Sequence, residues 1–108
     1  MQAGENFILE SDEEILKINS PKDSVGGPYK VIYKDTESLR YAIVSLHWGG
    51  EPSLGMRWFW GNLGFPHSRN HSTWFIVPSQ NWKSLLNGLD ISKEMKSEVL
   101  RFLGIENE

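Results

Sequence analysis

The chain has 108 residues, of which 39% are hydrophobic and 23% are charged, and its formal net charge is −3. These values predict one globular domain and exclude a disordered or fibrous chain. The chain has no cysteine, which excludes disulfides and thiolate metal sites. It also lacks an apolar run of about 18 residues and a secretory leader pattern. We therefore expect a cytoplasmic protein with no membrane partner, no metal and no cofactor.

The acidic charge is unevenly distributed along the chain. Acids outnumber bases in residues 1–28 and 90–108, whereas residues 52–89 contain no acid and three bases, Arg57, Arg69 and Lys83. An anionic ligand is therefore expected to bind around Arg57 and Arg69. The lysines of the last helical segment are less favourable sites for an anion, because glutamates at helical spacing neutralise them.

In chain order, the first structural signal is a capping box. Ser11 is followed three residues later by Glu14, which predicts a short helix over residues 12–18. A hairpin that pairs residues 7–10 with residues 15–18 is an alternative that the sequence leaves open.

A loop rich in glycine and proline follows at residues 20–28. We expect it to separate an N-terminal segment of uncertain order, residues 1–28, from a single α+β domain over residues 29–108.

Four strands are predicted from period-two alternation and from β-forming residues, at 29–33, 39–48, 52–60 and 72–77. In the third strand, Trp58 and Trp60 share an apolar face with Leu54 and Met56, and Arg57 lies on the other face. The fourth strand is apolar on both faces and is therefore predicted to be an inner strand. Together the strands predict an antiparallel four-stranded meander.

The segment between the last two strands, residues 61–71, has eleven residues with two glycines and a proline. It is too long for a tight hairpin, and loops of this length often carry function. His67 and His71 lie in it at i, i+4 spacing. Because the segment is not helical, we do not expect this pair to chelate a metal.

Two helices are predicted after the last strand. Ser79 is the expected N-cap of a helix over residues 80–87, which ends at Gly88. Ser92 is the expected N-cap of a second helix that ends at Leu103, followed by a glycine C-cap. Their apolar stripes predict that both helices pack on one face of the sheet.

Four short motifs carry a family resemblance: Arg40-Tyr41, Trp48-Gly49-Gly50, Gly55-Met56-Arg57-Trp58, and the run from Trp74 to Trp82. Together they resemble the single-stranded-DNA-binding transcriptional coactivator family known as positive cofactor four. Over about residues 29–89, the resemblance implies a four-stranded antiparallel sheet and a helix, a homodimer formed through both, and a curved β surface for single strands. Arg40, Arg57 and Trp58 carry over as candidate contacts. Family members usually have Gly-Lys-Gly before the last strand, where this chain has Asn70-His71-Ser72.

These observations favour a small module that binds single-stranded nucleic acid through an aromatic and basic β surface. The candidate binding residues are Arg40, Arg57, Trp58, His67, Arg69 and His71. The alternative is a purely structural role, in which the tryptophans form the core and Arg57 pairs with Glu13 or Glu14.

The alternative function is a protein-interaction module or homodimer that buries the same aromatic surface. The third is small-molecule binding, or hydrolysis by His67 or His71 with Ser68 or Ser72. No catalytic residues are predicted, because adjacent loop residues hold a base against a nucleophile poorly.

Overall fold

The computed structural model describes residues 11–61 and 63–105. In chain order its elements are α1 (Asp12–Ile15), β1 (Val25–Asp35), β2 (Tyr41–Trp48), β3 (Glu51–Trp58), β4 (His67–Ser68), β5 (His71–Ser72), β6 (Phe75–Ile76), a 3₁₀ turn (Ser79–Asn81), α2 (Trp82–Gly88) and α3 (Lys93–Leu103). The main sheet has the order β1-β2-β3-β6, and all its pairs are antiparallel. β4 and β5 form a separate two-stranded hairpin. The predicted α+β class, with its antiparallel sheet and C-terminal helices, is confirmed.

The alternation predicted for the central strands matches the side chains observed. Ile43 and Leu54 contribute to one buried cluster, whereas Ala42, Val44 and Leu46 contribute to another. Both faces of β2 are therefore covered, which explains its continuous buried run from residue 42 to residue 46.

The first cluster, which we call the helical core, lies between the sheet and the two C-terminal helices. Its buried members are Ile32, Ile43, Leu54, Val77, Leu86, Val99, Leu100 and Leu103. α3 begins where Ser92 accepts a hydrogen bond from the Met95 amide at 3.0 Å, and it ends at Gly104, whose φ is 78°. Both predicted caps of this helix are confirmed.

The second cluster, the N-terminal core, covers the opposite sheet face. Ile15 is fully buried there, and Leu16 and Ile18 pack beside it. The Trp74 indole N–H donates to the Ile18 carbonyl at 2.7 Å, which joins this segment to the region before β6. The sheet face opposite the C-terminal helices is therefore filled by the protein itself. The buried residues of that face are therefore not open to a ligand.

The predicted capping box is present, because Ser11 accepts from the Glu14 amide at 3.2 Å, although α1 has only four residues. In the alternative hairpin, Ile15 would belong to a strand, but it lies in α1. The partner segment of that hairpin, residues 7–10, lies outside the described residues.

β1 is longer than predicted, and the proposed domain boundary at residue 28 lies inside it. Its pairing with β2 shifts register between Gly26 and Lys30. Gly27 has a φ of 87°, a conformation that glycine adopts without strain. The glycine-proline run is thus a β-bulge within a strand.

Two predictions about the C-terminal half are wrong. The fourth strand is at the sheet edge rather than inside, because β6 pairs only with β3. The two residues that flank β6 pack into different cores. Trp74 joins the N-terminal core, and Val77 joins the helical core. Ser79 is not a helix N-cap. It is the first residue of the 3₁₀ turn that precedes α2, and no side chain caps that turn. No helix within residues 11–61 and 63–105 is long and apolar enough to cross a membrane.

If α1 is part of the folded unit, Ile15→Ala will lower the free energy of unfolding by about 2–5 kcal/mol, as expected for a fully buried isoleucine. The measurement is urea denaturation followed by tryptophan fluorescence. Glu13→Ala is the matched control in the same helix, since Glu13 is exposed, and we expect a change within about 0.5 kcal/mol. Equal effects of the two variants would contradict docking of α1 on the sheet.

Candidate nucleic-acid interface

Arg57 on β3 is the most deeply buried charged residue described, with no exposed surface. Its guanidinium group donates hydrogen bonds to three backbone carbonyls, those of Leu63, Pro66 and Thr73. The guanidinium carbon also lies 5.4 Å from the ring centroid of Phe59 and 6.0 Å from that of Trp74. Carbonyl dipoles and aromatic faces therefore stabilise its charge.

Burial lowers the pKa of Arg57 to about 10, so the side chain remains protonated at neutral pH. The alternative pairing with Glu13 or Glu14 is not found, since the partners of Arg57 are backbone carbonyls. The candidate nucleic-acid contact at Arg57 is likewise excluded here, because the guanidinium has no surface to offer a ligand. Arg57 is a structural residue.

The segment from Gly61 to Thr73 folds around Arg57. Trp58 and Phe65 exchange backbone hydrogen bonds of 2.7 and 2.8 Å, which close the beginning of the segment onto the end of β3. The Thr73 amide donates to the Pro66 carbonyl at 3.0 Å and closes its other end. The segment is thus held at both ends.

Inside this segment, β4 and β5 are joined by Arg69 and Asn70, whose φ values are 51° and 67°. Positive φ at both central residues is the pattern of a type I′ turn. The connection between β3 and β6 is thus longer than a tight hairpin, as predicted, but it contains one of its own.

The two histidines of this hairpin are exposed and point away from each other. His67 pairs with Ser72, and Ser68 pairs with His71. Paired residues share a face and adjacent residues alternate, so His67 and His71 lie on opposite faces of the ribbon. Within the described parts of the chain, no group of three or more potential metal ligands is assembled.

A continuous row of aromatic rings lies beside the hairpin, and we call it the aromatic row: Tyr33, Tyr41, Trp58, Trp60 and Phe65. Successive centroids are 5.9 Å apart for Tyr33 and Tyr41, 6.1 Å for Tyr41 and Trp58, 6.0 Å for Trp58 and Trp60, and 6.2 Å for Trp58 and Phe65. The row forms because its tyrosines and Trp58 occupy one face of three adjacent strands, and Tyr41 is directly opposite Trp58.

One end of the aromatic row is open to solvent. Trp60 is 52% exposed and Phe65 is 53% exposed. The Trp60 indole N–H donates to the Leu39 carbonyl at 2.9 Å, which fixes the orientation of the ring. An exposed and oriented indole presents a flat apolar surface to a ligand.

The other end of the row lies near Asp35. The Asp35 carboxylate accepts from the amides of Glu37 and Ser38, both at 3.0 Å, and these backbone hydrogen bonds lower its pKa. Desolvation is the main cause that raises the pKa of Tyr41, with smaller contributions from Tyr33 and Asp35. Tyr41 therefore stays uncharged at neutral pH, and the Asp35 carboxylate lies at the tyrosine end of the row.

The structure separates the predicted site residues into three groups. Trp58 is half-buried at the centre of the aromatic row, and Arg69 with the two histidines lies on the hairpin that follows Phe65. Arg40 is half-buried in the turn before β2, where its carbonyl accepts from the Phe59 amide at 2.9 Å. Arg57 lies inside the protein.

Sequence reasoning missed the exposed part of the row. Trp60 belonged to a recognised alternating set, but its exposure has no sequence signal. Phe65 reaches the row only because the segment around Arg57 returns to Trp58.

No family model, curated protein or solved structure matches this chain. Its function must therefore be argued from the arrangement of its own residues.

Two glycines near Arg57 form a matched pair that tests the packing of this segment. Gly61 and Gly64 have φ values of 70° and 72°, so alanine costs about 1–2 kcal/mol of backbone strain at either position. A Cβ atom at Gly64 would also overlap the Arg57 guanidinium and approach the Trp58 carbonyl oxygen to 2.5 Å, whereas at Gly61 no atom lies within 4 Å.

Gly64→Ala should therefore lower the free energy of unfolding by about 1–3 kcal/mol more than Gly61→Ala, the usual cost of overpacking. Urea denaturation of the two variants measures the difference. Similar midpoints would show that the segment does not enclose Arg57 as described.

Proposed function

We propose that this protein is a binding module for single-stranded nucleic acid, with bases stacked on Trp60 and Phe65 and phosphates contacting the β4–β5 hairpin. The observation that carries the proposal is the exposed end of the aromatic row, where Trp60 and Phe65, which each contact Trp58, are about half open to solvent. Stacking of one base on such a ring contributes about 1–3 kcal/mol and tolerates any base.

The charge around the exposed rings supports the same proposal. Arg69 is exposed at the tip of the hairpin, two exposed histidines flank it, and residues 52–89 contain no acid. The Asp35 carboxylate lies at the tyrosine end of the row, where it disfavours a phosphate. A strand is therefore expected to bind at the Trp60 and Phe65 end.

A second candidate function is a protein-interaction module or homodimer formed through the same surface. Leu39 is 55% exposed, and its carbonyl is bonded to the Trp60 indole, so an aliphatic side chain extends the aromatic patch. Contiguous apolar patches on monomers are typical of protein interfaces. The predicted homodimer belongs to this second proposal.

The double variant Trp60→Ala with Phe65→Ala should lower the affinity for a fluorescein-labelled oligothymidylate about 10-fold or more, because two stacking rings are lost. Fluorescence anisotropy at low salt measures the affinity. Phe75→Ala is the matched control, since Phe75 is 47% exposed and no ring contact joins it to the row among the described residues. We expect that variant to bind as the wild type does.

Sedimentation of the same proteins without oligonucleotide distinguishes the two functions. A wild type that binds no oligonucleotide but forms dimers, which the double variant abolishes, would replace the first proposal by the second. Equal loss of affinity in the double variant and in Phe75→Ala would contradict a site on the row.

Arg69→Ala should reduce the slope of log affinity against log salt by about 0.7, the value for one phosphate contact on a single strand. Lys93→Ala is the control, because Lys93 begins α3 and belongs neither to the row nor to the hairpin, and its slope should equal that of the wild type. The comparison requires titrations at four or more salt concentrations. An unchanged slope in Arg69→Ala would remove the hairpin from the binding site.

A further inference from the structure

A second concave surface lies between α3 and the strands β1 and β2, at the end of β2 opposite to Tyr41. This cleft has a volume of about 320 Å³ and is lined by Tyr29, Lys30, Ser45, His47, Glu98, Val99 and Phe102. The volume is at the lower limit of small-molecule sites. The proposed nucleic-acid surface uses none of these residues.

The bulge in β1 builds this cleft by placing Tyr29 against His47, and the tyrosine hydroxyl lies 2.8 Å from the Nδ1 atom of His47. Gly26 leaves the space for this contact, because a Cβ atom there would lie 3.1 Å from the His47 Cβ and 3.3 Å from the Tyr29 hydroxyl. Bulges often redirect side chains at binding sites.

The Tyr29 hydroxyl and Nδ1 of His47 share one hydrogen bond, in which either atom can be the donor. With the Tyr29 hydroxyl as the donor, a neutral imidazole carries its hydrogen on Nε2. Among the described residues, no acceptor for Nε2 is found, and the half-buried imidazole lines the cleft. A donor held in this way is available to an acceptor on a ligand.

Three aromatic rings form the walls of the cleft. The centroid of His47 lies 5.4 Å from that of Tyr29 and 5.5 Å from that of Phe102, and both pairs meet edge to face. Tyr29 and Phe102 are themselves 5.9 Å apart with the same kind of geometry. Ring walls of this kind favour a flat aromatic ligand over an aliphatic one.

The charged groups of the cleft neutralise each other. The Lys30 ammonium lies 2.9 and 3.0 Å from the two carboxylate oxygens of Glu98. The net charge of this pair is zero, so an ionic ligand would be attracted by one of the two groups and repelled by the other.

From these features we infer that the cleft binds a small, neutral, planar aromatic molecule whose carbonyl oxygen or ring nitrogen accepts a hydrogen bond from Nε2 of His47. This activity is separate from the proposed binding of nucleic acid. It needs a ring that packs from the cleft against the cluster of Tyr29, His47 and Phe102, and a single acceptor.

Benzamide is a suitable probe, with benzoate and benzylamine as anionic and cationic molecules of similar size. In ¹H–¹⁵N NMR spectra of the wild-type protein, benzamide should shift the amide signals of Ser45 and His47. We expect saturation at millimolar concentrations, the usual range for a fragment of this size. Benzoate and benzylamine should bind at least about 5-fold more weakly, and the indole signal of Trp60 should not move.

His47→Phe keeps a ring of similar size but removes the donor, so benzamide affinity should fall about 5- to 10-fold. Phe75→Ala, outside the cleft, should leave that affinity unchanged. Absence of shifts at Ser45 and His47 with about 10 mM benzamide, or equal binding of all three probes, would overturn the inference. Both of these results come from the wild-type protein, so misfolding of a variant cannot produce them. Oligonucleotide binding is tested separately, at the aromatic row.

Discussion

The buried Arg57 guanidinium donates hydrogen bonds to three backbone carbonyls, and these bonds position the exposed segment that follows β3. A charge without exposed surface needs hydrogen-bond partners, and here two of the three guanidinium nitrogens are bonded to carbonyls of one returning segment, whereas Nε has no partner among the described residues. That segment carries Phe65 to the side of Trp58 and then extends as the β4–β5 hairpin. Phe65 and Arg69 therefore owe their position beside Trp58 to a residue that has no exposed surface.

The covering of both sheet faces determines where binding can occur. α1 with the residues that follow it fills one face, and α2 with α3 fills the other. Side chains at the two ends of β2 remain accessible, and the two candidate sites lie there, at Tyr41 and at His47. The fold thus differs from an open sheet, which would present a whole face to a ligand.

Periodicity and capping chemistry predicted much of the fold, because they depend on neighbouring residues. The faces of β2 and β3 and both caps of α3 follow from local patterns. The location of Arg57 does not, since alternation assigns it a face but not what covers that face. The cover comes from the carbonyls of Leu63, Pro66 and Thr73 and from the rings of Phe59 and Trp74. The contact of Tyr29 with His47 was equally hidden, because a register shift creates it between residues 18 positions apart.

The burial of Arg57 also removes one exposed cation from the proposed nucleic-acid interface. The acid-free segment retains Arg69 as the exposed arginine beside the row, and its two histidines are on opposite faces of the ribbon. With a net charge of −3, the whole protein repels phosphate weakly rather than attracting it. Affinity for a single strand would then come mainly from base stacking on Trp60 and Phe65. Stacking is insensitive to salt, so such a module would keep most of its affinity as ionic strength rises, unlike a binder that depends on a lysine-rich groove.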